Sequence, residues 1–195
     1  MVYSRKVNGK IYTFGVSGRL YKSNVLLYDH QTESLWSQLM EKAVAGPLAG
    51  KKLTKLNASR TSWKAWMKKN PHTLVLSTDT GYARNYSKDP YKGYYRTLGI
   101  WFPVGDVRTD LSPKEMVLGI EINGEARAYP LALLREMPGM VKDEVAGKPV
   151  QIEVAADGEI VGVRDHRGEP VPSIFSYWFA WQAFHPETTV YSKEK

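Results

Sequence analysis

Two short polar segments carry the residues best suited to chemistry. The first is the turn Asp29-His30-Gln31-Thr32, where a carboxylate and an imidazole can together hold a metal ion or move a proton. The same pattern has a structural interpretation, in which Asp29 accepts hydrogen bonds from backbone amides and joins two strands. Asp29 and His30 are therefore candidate site residues, with both interpretations open.

The second segment reads DTGYAR at residues 79–84 and lies in a tyrosine-rich stretch. Arg84 can form bidentate hydrogen bonds with a carboxylate or a phosphate. Tyr82 offers an aromatic face and a hydroxyl group, which carbohydrate and aromatic ligands use. The alternative is an ordered surface loop that is packed by its own tyrosines. We predict that Asp79, Tyr82 and Arg84 bind a ligand, at a site where this loop meets the Asp29 turn.

Other reactive residues do not form recognisable catalytic or metal-binding patterns. Ser17 lies in GVSGR, which lacks the final glycine of a nucleophile elbow and favours a tight turn or a β-bulge. The four histidines lack metal-binding spacing. His72 follows Pro71 whereas His185 precedes Pro186, so these two histidines do not align in the repeated motif. The sequence therefore predicts no set of metal ligands, identifies no catalytic residue and leaves the cofactor unknown.

The elements around these segments are mainly strands. Asn8-Gly9 and Asn123-Gly124 are turn dipeptides typical of tight β-hairpins. The apolar run at 25–28 predicts a buried strand, and glycine-containing turns divide residues 144–171 into a meander. We predict an α+β, strand-rich single domain built from hairpins and meanders.

One motif occurs twice in the chain. We call residues 63–76, WKAWMKKNPHTLVL, the first Trp unit and residues 178–191, WFAWQAFHPETTVY, the second Trp unit. Six residues recur between them at a constant offset of 115, which suggests internal duplication. The predicted elements are a helix at 59–70 and a strand at 73–76 in the first unit, and a helix at 174–184 and a strand at 188–191 in the second.

The repeated motif predicts how the domain is organised. We expect a pseudo-twofold repeat with unit one at about 1–76, a tyrosine-rich connection at 77–115, and unit two at about 116–191. Each unit contributes one short helix to the packing of the sheets. The tryptophans of both helices lie at i, i+3 spacing and are predicted to be core residues: Trp63, Trp66, Trp178 and Trp181.

Composition restricts the classes of function. The net charge of +7 comes from scattered basic residues without a nucleic-acid-binding signature, so nucleic acid is not an expected partner. The absence of cysteine excludes disulfides and thiolate chemistry. No apolar run is long enough for a transmembrane helix, and the N-terminal residues lack the apolar segment of a signal peptide.

Longer segments of the sequence resemble a known family. These include FGVSGRLYKSNVLLYDHQTESLWSQ, AVAGPLAGKKL, TLVLSTDTGYARNY, DPYKGY and VLGIEINGEARAYPL, followed by YWFAWQAFHPET. In this order they resemble the prokaryotic family catalogued as domain of unknown function 3179 (DUF3179), over nearly the whole chain.

The resemblance implies an extracytoplasmic setting, because members are often exported or membrane-attached, and it implies no established activity. Many members carry an upstream segment with an ARAYPL-like sequence and a Cys-x-x-Cys-like motif. This chain begins after the place of that motif, so we expect the first repeat unit to lack its opening strands or to receive them from a partner subunit.

Three functional hypotheses follow. The first is a binding or assembly module for a small molecule, a glycan or a protein. The alternative is an enzyme or metal-binding protein whose site combines the YDHQT turn with the DTGY loop. The third is self-association into a homo-oligomer through an unpaired strand.

Overall fold

The computed structural model describes residues 1–58 and 60–193. Strands dominate this part of the chain and the helices are short, so the predicted strand-rich architecture is confirmed. The strands are β1 (Lys6–Val7), β2 (Lys10–Ile11), β3 (Phe14–Tyr21), β4 (Asn24–Asp29), β5 (Leu35–Ser37), β6 (Lys42–Ala45), β7 (Met116–Ile122), β8 (Glu125–Pro130), β9 (Gly139–Val145), β10 (Lys148–Val154), β11 (Ile160–Asp165), β12 (Ser173–Tyr177) and β13 (Thr189–Val190). The helices are α1 (Trp63–Lys69), α2 (Lys92–Tyr95), α3 (Leu131–Arg135) and α4 (Trp178–Phe184).

The N-terminal part is a four-stranded antiparallel sheet of order β3-β4-β5-β6, preceded by the small β1–β2 hairpin. The hairpin turns at Asn8 and Gly9, whose φ angles of 48° and 82° are those of the predicted tight turn. The β3–β4 register shifts between Val16 and Leu20, so the bulge interpretation of the Ser17 segment is confirmed. Trp36 is fully buried and forms the centre of the core beside this sheet.

The C-terminal part contains a second sheet of order β12-β7-β8-β13. Strands β7 and β8 form the predicted hairpin around Asn123-Gly124. Strand β13 pairs with β8 in parallel, and α4 makes the connection from β12. A third sheet, β11-β10-β9, is the predicted meander, and it shares a core with the second sheet through Leu118, Ile152 and Val163.

The second Trp unit is buried as predicted, with Trp178 at 0% and Trp181 at 1% exposure. The helix prediction for residues 174–184 is wrong at its start, because residues 173–177 form β12 and the helix begins at Trp178. Strand β12 pairs along the edge of β7, and this tertiary pairing decides the conformation of a segment whose local pattern fits either element.

The first Trp unit differs from its prediction in three ways. Helix α1 is shorter than the predicted helix at 59–70. Ser62 caps it by accepting a hydrogen bond from Ala65 N at 3.2 Å. Ser59, the first residue of the predicted helix, lies outside the described residues. The core prediction is wrong for its tryptophans, since Trp63 is 54% and Trp66 43% exposed. The predicted strand at 73–76 is also wrong, because no strand of the described residues pairs with this segment.

Between α1 and β7 the chain forms a long exposed connection that contains α2. Its aromatic side chains pack partly on one another, with Tyr94 against Trp101 at a ring distance of 4.7 Å. Lys114 lies over the Tyr94 ring at 3.4 Å and donates to the Tyr94 carbonyl, which ties the connection to the segment before β7. Every helix in the described residues is too short to span a lipid bilayer.

Candidate functional site

Asp29 closes the turn after β4 as a fully buried carboxylate. Its oxygens accept hydrogen bonds from Thr32 N at 2.6 Å, from Thr32 Oγ1 at 2.9 Å and from Trp36 Nε1 at 2.8 Å. Burial alone raises the pKa of Asp29, but the hydrogen bonds from Trp36 and Thr32 outweigh it and hold the pKa below its usual value. These contacts give Asp29 a structural role, because they fix the conformation of the turn and the orientation of the Trp36 ring.

His30 lies on the opposite side of the same turn and is exposed. Its Nδ1 lies 3.0 Å from Thr13 Oγ1, and its ring meets the Tyr28 ring edge-on at 5.0 Å. Successive side chains at the end of a strand point to opposite faces, so Asp29 points into the core and His30 points outward. The two neighbouring side chains therefore lie on different sides of the turn.

Asp79, Tyr82 and Arg84 lie on the exposed connection. The local contacts of this loop are internal, such as the 2.6 Å hydrogen bond between Thr80 Oγ1 and Tyr86 OH. Within residues 1–58 and 60–193, no side-chain hydrogen bond or ion pair joins this loop to the Asp29 turn. The site that combines the turn and the loop stays a prediction.

A different part of the molecule forms a cleft of about 620 Å³, between the N-terminal sheet and the end of the second Trp unit. This volume is in the range of small-molecule sites. Its walls come from five segments: residues 39–42, residues 52–53, the turn end of the β7–β8 hairpin, residues 144–146, and residues 184–189.

His185 lies in the wall of this cleft, directly after α4. Its ring stacks on Trp181 at 3.9 Å with an interplanar angle of 30°, and its Nδ1 is 3.5 Å from Glu121 Oε2. Burial lowers the pKa of His185 to about 4; Glu41 opposes this shift and Lys55 adds to it. His185 is therefore neutral at neutral pH, and its contact with Glu121 is a polar contact rather than an ion pair.

The second ring nitrogen of His185 has unused hydrogen-bonding capacity. Nε2 is buried and has no hydrogen-bond partner in the described part of the chain. A neutral imidazole carries one proton, and the proximity of Glu121 favours placing it on Nδ1. In that tautomer Nε2 is a hydrogen-bond acceptor, which is a costly group to leave unsatisfied in a protein interior.

A partly buried polar network adjoins one wall of the cleft. Tyr129 OH donates to Asp143 Oδ2 at 2.7 Å, and Arg127 Nε lies 2.8 Å from the same oxygen. Burial and the Asp143 carboxylate together raise the pKa of Tyr129 far above its usual value, so the hydroxyl remains protonated and serves as a donor. Arg127 also lines the cleft, and its charge is paired with that of Asp143.

The charges around the cleft differ in sign from the charge of the whole protein. Carboxylates outnumber cations along its walls, although the chain as a whole carries +7. Glu41 is paired with Lys55, and Arg127 is paired with Asp143, so part of each set is neutralised locally. The lining glutamates are Glu41, Glu121, Glu125, Glu144 and Glu187, and the lining basic residues are Lys42, Lys52 and Arg127.

Sequence reasoning missed this cleft. Glu41, Glu121 and His185 lie far apart in the chain, and none of them belongs to a motif that indicates shared chemistry. The repeated motif carried one usable signal, because position 185 corresponds to Asn70 at the offset of 115. A histidine thus occupies a position in the second unit where the first unit has an uncharged amide. In the described ranges, no three His, Asp or Glu side chains are arranged to hold a metal ion.

Comparison with known families gives one assignment. The model of the family described as "Protein of unknown function (DUF3179)" matches residues 1–169. The chain belongs to the DUF3179 family. The match covers the N-terminal sheet, the connection, strands β7 and β8 of the second sheet and the whole third sheet, so the family resemblance is confirmed over residues 1–169. Neither the curated proteins nor the solved structures gave a match to this chain.

Proposed function

We propose that this chain is a binding module whose ligand site is the cleft beside His185. The observation that carries the proposal is the buried Nε2 atom of a neutral histidine, unpartnered in the described residues, in the wall of a cleft of about 620 Å³. The walls come from both halves of the chain, and a ligand there would contact the N-terminal sheet and the second Trp unit together.

The chemistry of the walls favours a small ligand with a cationic nitrogen. A protonated amine or guanidinium group can donate hydrogen bonds to the lining glutamates, and these bonds are stronger when donor and acceptor are charged. The excess of carboxylates also attracts a cation and repels an anion at short range. The His185 ring, which is held by stacking on Trp181, adds an apolar surface for the carbon atoms of the ligand.

A pair of probes with the same carbon chain and opposite charge tests this proposal. We expect 1,5-diaminopentane to raise the melting temperature of the protein and to perturb the His185 ring resonances, whereas glutarate does neither. The measurement is thermal unfolding together with NMR titration of histidine resonances at low salt, because screening weakens charge interactions. Equal responses to the two probes, or no response to either, would contradict the proposal.

A glutamate exchange assigns the response to the cleft. Glu121→Gln removes the carboxylate beside His185, and we expect it to weaken binding of 1,5-diaminopentane by about threefold to tenfold. Glu136→Gln is the matched control, because Glu136 is an exposed glutamate outside the cleft. Equal affinity in the Glu121→Gln and Glu136→Gln variants would place the binding elsewhere.

We also propose that the chain contains an internal duplication, with repeat units at about 1–76 and 116–191 joined by residues 77–115. The proposal is supported by α1 and α4, whose first and last residues both differ by 115. It is also supported by one equivalent hydrogen bond in each unit, from Trp66 Nε1 to Thr73 Oγ1 at 2.8 Å and from Trp181 Nε1 to Thr188 Oγ1 at 2.9 Å.

A further inference from the structure

The second Trp unit is covered by the β7–β8 hairpin. Gly119 of β7 lies directly beneath Trp181, and a Cβ atom at this position would lie 2.3 Å from the indole ring. Val190 pairs in parallel with Ala128 of β8, and Tyr191 N donates to the Ala128 carbonyl at 2.8 Å. The hairpin therefore provides a flat surface at Gly119 for the Trp181 indole and a strand edge for the segment after Pro186.

The first Trp unit has the same internal arrangement without such a cover. Trp66 is 43% exposed, and the following residues Leu74 and Leu76 are 95% and 91% exposed. Within the described residues, no strand pairs with this segment. Three large apolar side chains and a run of backbone hydrogen-bonding groups thus face solvent at one place.

The other face of α1 carries lysines and is suited to contact with solvent. Lys64, Lys68 and Lys69 stand where the second unit has Phe179, Ala183 and Phe184, at the offset of 115. Those three residues of α4 contact the buried Val104 cluster, so α4 is covered on two faces. The lysines make a second cover on α1 unfavourable, because lysine side chains are rarely buried unless they are paired. Only the face that carries Trp63 and Trp66 is left for a partner.

We propose that this Trp face of α1, together with residues 74–76, docks on an antiparallel β-hairpin of a partner polypeptide. The hairpin has the chemistry of β7–β8: a glycine on its first strand beneath Trp66, and a free edge on its second strand that runs parallel to residues 74–76. This is strand addition combined with a single aromatic anchor. The hairpin of a second copy is not free, because β13 already occupies the β8 edge. The surface is separate from the His185 cleft and does not depend on it.

The test uses the full chain and a cyclised peptide that carries residues 115–131 of this protein, since cyclisation stabilises an otherwise marginal hairpin. Hydrogen exchange is followed by mass spectrometry on residues 63–76. We expect the peptide to slow exchange in this segment by at least about tenfold. A peptide with Gly119→Ala is the matched control, because its added methyl group removes the space for an indole ring. The Trp66→Ala variant of the chain is expected to lose the response.

Exchange in residues 178–191 is measured in the same samples. Loss of protection there would mean that the peptide displaces the native hairpin partner, which would overturn the proposed surface. Protection of residues 63–76 that rises with protein concentration in the absence of peptide would identify a second copy as the occupant, and would overturn the proposed partner.

A tethered version keeps the test decisive if the free peptide binds weakly. The same hairpin sequence is joined to the N-terminus of the chain by a flexible Gly-Ser linker, which gives an effective concentration on the order of 1 mM. Protection of residues 63–76 in this fusion, and its absence in the Gly119→Ala fusion, supports the proposal. Unprotected residues 63–76 in both fusions would overturn it.

Discussion

The two Trp units have nearly the same backbone and very different surroundings. The residue before each helix has φ and ψ of −69° and 150° at Ser62, and of −71° and 150° at Tyr177. The residue after each helix is equally similar, with −133° and 68° at Asn70 and −127° and 68° at His185. The first helix nevertheless has no buried residue, whereas most of the second is buried.

The comparison separates what local sequence determines from what packing determines. The backbone angles at both helix ends and the indole–threonine hydrogen bond are alike in the two units, so they form whether or not the unit is buried. Burial of the indole depends on a strand pair that lies elsewhere in the chain. Most of the stability of a short helix comes from such packing, so equal changes in the two units are expected to have unequal effects.

The largest effect is expected at the contact between the second unit and its hairpin. Gly119→Ala places a methyl group inside the contact distance of the Trp181 ring, which is fully enclosed. We expect it to lower the free energy of unfolding by about 3 kcal/mol or more, because overpacking displaces a rigid aromatic side chain. Urea unfolding followed by circular dichroism measures the change.

Gly162→Ala is the control for this prediction. Gly162 lies on β11, and a Cβ atom there meets no other group within 4 Å. We expect the free energy of unfolding to remain within about 0.5 kcal/mol of the parent protein. If both alanine variants have the same small effect, the glycine surface is not what holds Trp181.

An intermediate effect is expected when His185, the residue after α4, is replaced by asparagine, the residue that follows α1 at position 70. The pKa of His185 is lowered by burial to about 4 in the folded protein, below the ordinary value of 6.5. The unfolded chain therefore binds the extra proton first as the pH falls. The stability contributed by the neutral ring is fully present above pH 6.5 and is lost progressively between pH 6.5 and about 4.

His185→Asn removes this titration and installs the residue found at position 70. We expect the parent protein to lose about 2 kcal/mol more than the variant on going from pH 7 to pH 4, after allowance for partial solvent exposure. The measurement is the free energy of unfolding across this pH range. Parallel curves for the two proteins would show that His185 does not titrate in the folded state as described.

The smallest effect is expected from removal of the shared hydrogen bond. Thr188→Val leaves the buried Trp181 indole nitrogen without its acceptor and is expected to cost about 1 to 2 kcal/mol. Thr73→Val removes the equivalent acceptor in the first unit, where water can replace it, and is expected to cost less than about 0.5 kcal/mol. Equal losses in the two variants, measured by urea unfolding, would remove the distinction between a buried and an exposed unit.

Parts of the fold with local causes were predictable from the sequence. The Asn8-Gly9 and Asn123-Gly124 hairpins follow from the positive φ angles that these dipeptides tolerate. The exposure of Trp63 and Trp66 was not predictable, because an amphipathic helix has the same sequence pattern whether or not a partner covers its apolar face. The prediction of a strand at 73–76 was wrong for a related reason, since a strand needs the edge of a neighbouring strand, which the sequence of the unit does not specify.

The candidate site was less predictable than the fold. Asp29 and His30 are adjacent in sequence, but the alternation of strand side chains sends one into the core and the other to the surface. The His185 cleft combines side chains from segments that tertiary structure alone brings together. Local pattern therefore identified polar residues without identifying which of them share a space.

The parallel pairing of β8 with β13 has a consequence for synthesis of the chain. Strand β8 is complete at Pro130, whereas its partner begins at Thr189. At roughly 5–20 residues per second, the edge of β8 remains open for several seconds while the intervening residues are translated. The C-terminal half can complete its fold only after Val190 has left the ribosome, and until then the nascent chain presents an unpaired strand edge to its cellular surroundings.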